Sequence, residues 1–158
     1  MPSAITLRRA RTDADIAAAR RLFRAYVESL PFALDFQDVE AELQALPGPY
    51  AAPDGAILLA ITDDTPVGVV AVQPLEEAGA CEMKRLFVRP EHRGQGIGRA
   101  LGSALLDTAR ALGYDTMRLD TVESMDAARA LYRSLGFEER SAYYHNPLDN
   151  VVYMERSL

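Results

Sequence analysis

The segment that most constrains the fold is Val88-Arg89-Pro90-Glu91-His92-Arg93-Gly94-Gln95-Gly96-Ile97-Gly98-Arg99-Ala100-Leu101. A strand-like run, Met83 to Val88, enters a turn, crosses three alternating glycines and continues into a strongly amphipathic helix. Glycines let a ligand approach the main chain closely. The first amides of a helix have no internal partner and carry partial positive charge. Together these features make a socket for a phosphate or diphosphate. The competing reading is a tight turn that binds nothing.

The chain has 158 residues and a formal net charge of −6, with 49% hydrophobic and 25% charged residues. This length predicts one domain, 1–158, with a sizeable buried core. The acidic balance argues against a general nucleic-acid or membrane-surface binder. Between Lys84 and Arg99, however, five basic residues stand against Glu91 alone. Beside a glycine turn that cluster points to a specific anionic ligand, against the alternative of a solvated surface loop. The one cysteine, Cys81, excludes an internal disulfide and suits a reducing compartment. It has no flanking Cys or clustered His, so no metal site is expected. No apolar run reaches membrane-spanning length, and the N-terminus lacks the apolar core of a signal peptide. A cytoplasmic protein is expected.

Periodicity divides the rest of the chain. Ile5 to Arg8 reads as a strand. Thr12 can cap a helix carrying Ile16, Ala19, Phe23, Tyr26, Val27 and Leu30 at helical spacing. Asp35 can cap a second helix, with Phe36, Val39, Leu43 and Leu46 on one face, and Pro47-Gly48-Pro49 stops it. Ala56 to Ile61 and Val67 to Val72 read as a hairpin of buried strands, followed by a strand from Ala80 to Val88. The helix after the glycines carries Ile97, Ala100, Leu101, Ala104, Leu105, Thr108 and Leu112 on one stripe, and Gly113 suits its C-terminal cap. Thr116 to Thr121 is a strand. Ser124 is the expected cap of a further helix, with Ala127, Ala128, Leu131 and Leu135 inward and Gly136 closing it. Phe137 to Ala142 and Val151 to Met154 complete the pattern as strands. The order β-α-α-β-β-β-α-β-α-β-β implies one mixed sheet with helices on both faces, an α/β (α+β) fold.

The glycine turn is not a nucleoside-triphosphate loop, since no Lys-Ser or Lys-Thr pair follows the spacing G-x-x-x-x-G. It is not a dinucleotide fingerprint either, because glycine is missing at both Arg99 and Leu101. What remains is Arg93-x-x-Gly96-x-Gly98 after a strand ending in Val-x-Pro. That pattern resembles motif A of the GCN5-related N-acetyltransferase (GNAT) family. A second signature agrees: Ala128-Arg129-Ala130-Leu131-Tyr132-Arg133-Ser134-Leu135-Gly136-Phe137 resembles the family helix that carries Leu-Tyr and ends in Leu-Gly-Phe. The resemblance covers nearly the whole chain. It implies a mixed, mostly antiparallel sheet with a splayed parallel strand pair. It also implies acetyl-CoA as cofactor and acetyl transfer to a primary amine.

By that resemblance the diphosphate of coenzyme A lies on Arg93, Gly94, Gln95, Gly96, Ile97, Gly98 and Arg99. Leu86, Phe87 and Val88 would hydrogen-bond the pantetheine arm through their backbone. A bulge in their strand would splay it from the next, and an amide at Phe87 or Val88 would stabilise the oxyanion. Glu82 falls where relatives carry a catalytic glutamate, the alternative being a salt bridge to Lys84 or Arg85. Tyr132 matches the general acid, the alternative being an aromatic packed on the helix stripe. Met125 replaces the family's usual asparagine, which leaves Ser124, Arg129 and Arg133 as candidate cofactor contacts. Phe23, Tyr26, Phe32, Phe36, Tyr143, Tyr144 and His145 are nominated as the acceptor wall, with Phe23 and Tyr26 open to a core role instead. A small-molecule or amino-acid-like amine fits the short chain; a peptide amine or a non-catalytic acyl-CoA sensor are the alternatives. A charged-tRNA acceptor is disfavoured by the acidic charge. Many relatives dimerise, which makes a homodimer an expectation by resemblance alone.

Overall fold

The computed structural model describes residues 4–30, 36–144 and 150–158; Phe32 and His145 lie outside them, as does the side chain of Phe36. The described elements follow the expected order. They are β1 (Thr6–Arg9), α1 (Asp13–Ser29), α2 (Phe36–Gln44), β2 (Ala56–Thr62), β3 (Thr65–Pro74), β4 (Ala80–Val88), α3 (Ile97–Ala111), β5 (Thr116–Val122), α4 (Asp126–Ser134), β6 (Glu138–Arg140) and β7 (Val151–Ser157). The strands form one seven-stranded sheet in the order β1-β2-β3-β4-β5-β7-β6. Every neighbouring pair is antiparallel except β4 and β5, which run parallel.

Strand alternation sends the apolar residues of this sheet into two separate cores. Leu58, Val70, Val72, Met83, Met117 and Leu119 pack under α3 and α4. Ile57, Leu59, Val69 and Ala71 pack under α1 and α2. Side chains alternate across a strand, so Met83 and Phe87 should share a face. They do not: Met83 joins the α3 core and Phe87 the α1 core. The register explains why. Ala71 pairs with Lys84 and Val69 with Phe87, so β4 spends three residues where β3 spends two. The extra residue is a β-bulge, and Arg85 inside it takes a left-handed φ of 61°.

Four sequence expectations shift. Ser124 does not cap α4: the N-cap is Met125, without a side-chain cap, and Ser124 sits exposed in the turn closed by Met125 N–H to the Val122 carbonyl at 3.0 Å. Ala127 is exposed rather than inward, because Tyr132 is the buried residue that orients α4. The buried face of α3 runs through Ile97, Leu101, Gly102, Leu105, Leu106 and Ala109: Ile97, Leu101 and Leu105 of the expected stripe lie in it, while Ala104 and Leu112 are only partly buried at its edge and Gly102, Leu106 and Ala109 widen it on the other side. A side chain at Gly102 would meet Leu135 Cδ1 at 2.6 Å, so α4 seats directly on that glycine. β6 is only three residues long, while β7 runs on to Ser157. β7 lies between β5 and β6 and pairs with β5 along its whole length. Its polar end, Glu155-Arg156-Ser157, hides this from a reading of hydrophobicity.

Candidate active site

The turn after β4 combines open space with unpaired amides. Gly94 and Gly96 have φ of 80° and 81°, and no atom lies within 4 Å of a Cβ built on either. Such φ values favour glycine. Here, then, glycine serves the backbone conformation and leaves the approach to the chain clear. Gly96 is the N-cap of α3, and the first intrahelical bond runs from Ala100 N–H to the Gly96 carbonyl at 3.0 Å. The amides of Ile97, Gly98 and Arg99 therefore have no intrahelical acceptor. Backbone N–H groups converging on open space at a helix start fit a diphosphate. Gly98 has an additional constraint: its missing side chain would touch Leu131 Cδ2 at 3.4 Å, so it also brings α4 close to α3.

The two arginines of the turn are partly committed elsewhere. Arg93 Nε donates to the Val88 carbonyl at 3.0 Å, and its guanidinium lies 5.6 Å from the Phe87 ring centre. Arg99 Nη1 donates to Ser134 Oγ at 2.6 Å, tying α3 to α4.

Beside the turn the sheet opens. β4 and β5 pair only from Ala80–Glu82 to Thr116–Arg118, so beyond Glu82 the facing edge of β4 is unpaired. Arg89 N–H donates to the Val67 carbonyl at 2.9 Å, directly across the β3–β4 ladder. Alternation in an antiparallel ladder then turns the backbone groups of Phe87 toward β3 and those of Val88 toward β5. Of the two amides expected as oxyanion donors, only that of Val88 faces the opening.

On the α1/α2 face of the opening lies a cavity of about 660 Å³, lined by Glu82, Lys84, Arg118, Arg140, Tyr143 and Tyr144 among others. Glu82 is 4% exposed. Its Oε2 accepts from the Tyr143 hydroxyl at 2.5 Å and its Oε1 from Gln73 Nε2 at 2.8 Å, with Lys84 Nζ at 3.8 Å. Burial and the adjacent Glu82 charge push the Tyr143 phenol well above its ordinary pKa, so it stays a proton donor to the carboxylate. Arg118 bridges Glu155 at 2.7 Å and Glu77 at 2.5 Å, and both Arg118 and Arg140 lie against the Tyr143 ring. Tyr143, Tyr144 and Tyr153 pack edge-on with ring centres 5.2–5.5 Å apart. Tyr144 donates to Asp120 Oδ2 at 2.5 Å, at the splayed end of β5.

Tyr132 is 9% exposed and meets Phe137 edge-on. Among the described residues its hydroxyl has no hydrogen-bond partner. Burial, with the nearby Tyr26 and Asp120, raises its pKa above the ordinary phenol value. Tyr26 is half-buried and meets Phe87 edge-on at 6.0 Å. Phe23 is not on this wall: it is fully buried against Tyr50 in the α1/α2 core. Arg129 folds back onto the Glu123 carbonyl at 2.6 Å, while Arg133 is half-exposed, 3.9 Å from Glu139. Ser124, Arg129 and Arg133 all lie at α4, away from the 660 Å³ cavity.

Sequence reasoning missed Gln73, Asp120 and the Arg85–Glu42 pair. Arg85 donates from Nε and Nη2 to the two carboxylate oxygens of Glu42, both at 3.1 Å. Asp120 had a signal, a charge at an alternating position of an otherwise half-apolar strand. Arg85 had none, because its significance depends on a bulge.

A model of the acetyltransferase (GNAT) family matches residues 19–137. An uncharacterised N-acetyltransferase of Schizosaccharomyces pombe is 40% identical over 154 residues, covering 97% of this chain and 94% of its own. The N-acetylaspartate synthetase of Homo sapiens is 34% identical over 134 residues, covering 85% of this chain and 42% of its own. An acetyltransferase from Salmonella typhimurium, solved with its cofactor acetyl-CoA, superposes with a TM-score of 0.73 at 22% identity, covering 98% of this chain and 94% of that one.

Proposed function

Since the chain belongs to the acetyltransferase (GNAT) family, and is thereby an acetyl-CoA-dependent acyltransferase, we propose that it acetylates the primary amine of a small, amino-acid-like acceptor. One observation carries this reading: the β4–β5 opening has unpaired helix-start amides at the α3 turn and a carboxylate–tyrosine pair in the cavity of the α1/α2 face. A cavity of about 660 Å³ suits a small molecule. Lys84, Arg118 and Arg140 beside Glu82 offer both signs of charge to a zwitterion. The relative that makes N-acetylaspartate supports the same class.

Acetyl-CoA supplies the acetyl group as a thioester: the acceptor nitrogen bonds to the acetyl carbon as the carbon–sulfur bond breaks. The amides from Gly96 to Arg99 hold the diphosphate, and the Val88 N–H stabilises negative charge on the carbonyl oxygen. The Tyr143 hydroxyl donates to Glu82 and presents its lone pairs to the acceptor ammonium. A proton leaving that ammonium thus reaches Glu82 by relay, and the nitrogen becomes nucleophilic. Tyr132, held protonated by burial, gives its proton to the departing sulfur. Holding both partners in line adds to the rate independently of either proton transfer.

The test is a panel of amines and amino acids incubated with acetyl-CoA and the protein, read by thiol release and product mass. Turnover is expected with amino-acid-like amines. Acetyl-CoA binding without thiol release from any of them would overturn the enzymatic reading and leave an acyl-CoA sensor. Turnover confined to peptide amines would overturn the acceptor class.

A further inference from the structure

Arg85 is the residue that makes β4 irregular. It is a long L side chain held at a left-handed φ of 61° in the middle of a strand. A side chain is strained in that conformation, which persists only where the surroundings over-determine it. The enforcing contact is visible. Both guanidinium bonds to Glu42 are present, the Arg85 side chain is 13% exposed and Glu42 23% exposed. Glu42 belongs to α2, the helix that packs through Leu43 and Val39 onto the α1/α2 core. The two residues lie 43 positions apart in sequence, so the pair fastens one helix to one irregular point of the sheet.

The consequence concerns register. Without the extra residue, β4 would pair regularly with β3, and every side chain from Leu86 onward would change face. Phe87 would leave the α1 core, and the Val88 amide would turn from β5 toward β3. We propose that Arg85 is a positioning residue: its ion pair with Glu42 pins the bulge, and the bulge aims the Val88 N–H into the opening between β4 and β5. The proposal rests on the acetyl-transfer reading for its kinetic consequence and on the β3–β4 register alone for its structural one.

The pair is removed from either side. Glu42→Gln keeps size and α2 propensity while removing the charge. Arg85→Gly keeps the backbone free to adopt positive φ while deleting the clamp. Arg85→Lys keeps charge but loses the two-pronged bond. Acetyl-CoA affinity is measured by calorimetry, kcat and acceptor KM by thiol release, and amide exchange of the 83–88 segment by hydrogen–deuterium exchange on the full chain. Each single variant should lose at least about tenfold in kcat, as a displaced oxyanion donor does. Acetyl-CoA affinity should fall clearly less than kcat, because the diphosphate socket of α3 is untouched and only the pantetheine contacts expected at 86–88 shift. The Glu42→Gln/Arg85→Gly double variant should be no slower than the worse single variant, since both remove one interaction. Exchange at 86–88 should rise in all of them.

Unchanged kcat in Glu42→Gln and Arg85→Gly overturns the proposal. So does a loss of acetyl-CoA affinity equal to the loss in kcat, or single effects that multiply in the double variant. If the wild-type chain transfers acetyl to nothing, the acetyl-transfer reading fails, and exchange at 86–88 still decides the clamp: equal exchange in wild type and Glu42→Gln refutes it.

Discussion

At the scale of single residues, chemistry here depends on burial. Tyr132 is the deepest side chain of α4, and its hydroxyl has no described partner. Among the described residues Arg129 Nε is the one fully enclosed side-chain polar atom without a partner, so the Tyr132 hydroxyl, unpaired but not sealed off, keeps access to open space where a ligand can meet it. Removing the hydroxyl separates use from packing. Tyr132→Phe keeps the ring against Phe137, so the fold should be as stable as wild type or slightly more stable. Turnover should fall by about 10²- to 10⁴-fold, the range for loss of a general acid, with acetyl-CoA affinity within about threefold. Thiol-release kinetics and calorimetry on one sample decide it; equal turnover removes Tyr132 from the chemistry. The tyrosine itself was legible because a motif surrounded it. Glu82 was legible as a residue and only in part as an environment: of the two ion-pair partners the sequence offered, Lys84 is there at 3.8 Å and Arg85 pairs with Glu42 instead, while the hydrogen bonds come from Tyr143 and Gln73. Those two hydrogen bonds span 61 and nine positions, and no local pattern encodes the longer one.

At the scale of elements, caps and glycines carried most of the readable information, and strand interiors the least. The cap of α1 is a reciprocal pair. Thr12 Oγ1 accepts from Asp15 N–H at 3.1 Å, and Asp15 Oδ2 accepts from Arg11 N–H at 3.2 Å, with Arg8 on Oδ1 at 2.9 Å. Burial alone would raise the Asp15 pKa, yet the Arg11 amide, the Arg8 side chain and the Thr12 contact together hold it below the ordinary value. The folded state therefore binds the proton less readily than the unfolded state. This contribution to stability is complete above the unfolded pKa, about 3.9. It disappears as pH falls through the lower folded value. Urea unfolding of wild type should lose stability between pH 5 and pH 2.5, and Asp15→Asn should lose less over the same interval while being less stable at pH 7. Identical acid sensitivity in the two proteins would show that Asp15 does not carry the effect. The glycines of α3 were legible only in part. Their alternation pointed to close approach of a ligand, and Gly94 and Gly96, at left-handed φ with open space around them, leave that approach clear, whereas Gly98 and Gly102 admit Leu131 and Leu135 at α4. A reading along one helix cannot see what packs across from it. The β4 bulge is the same problem in a strand: period-two alternation carries no mark where one residue is inserted.

At the scale of the whole molecule, the sheet is a partition with one opening. Helix α3 and its glycine turn stand on one face and helices α1 and α2 on the other, each over its own core. The parallel pair is where they communicate, since three paired residues on each strand are all that join β4 to β5. The order of elements made this architecture readable, because a hairpin before the glycine turn is incompatible with a repeated βαβ start. The division of labour between faces was not readable, since it follows from which side each strand residue takes. That division predicts that the two ligand sites can be lost separately. Ligand that binds only the folded state stabilises by about 2.7 kcal/mol at a hundredfold excess over Kd. For a chain of this length that corresponds to a rise in Tm of roughly 5–10 °C. Wild type should show that rise with acetyl-CoA. Gly96→Glu places a carboxylate where the diphosphate would lie, so its own Tm should not respond to acetyl-CoA at all. Tyr143→Phe lies on the opposite face and removes only the bond to Glu82, so it should keep the full rise while turnover falls. If Tyr143→Phe loses the acetyl-CoA response, or Gly96→Glu keeps it, the two faces do not divide the substrates, and the opening between β4 and β5 is a packing irregularity rather than the passage that joins them.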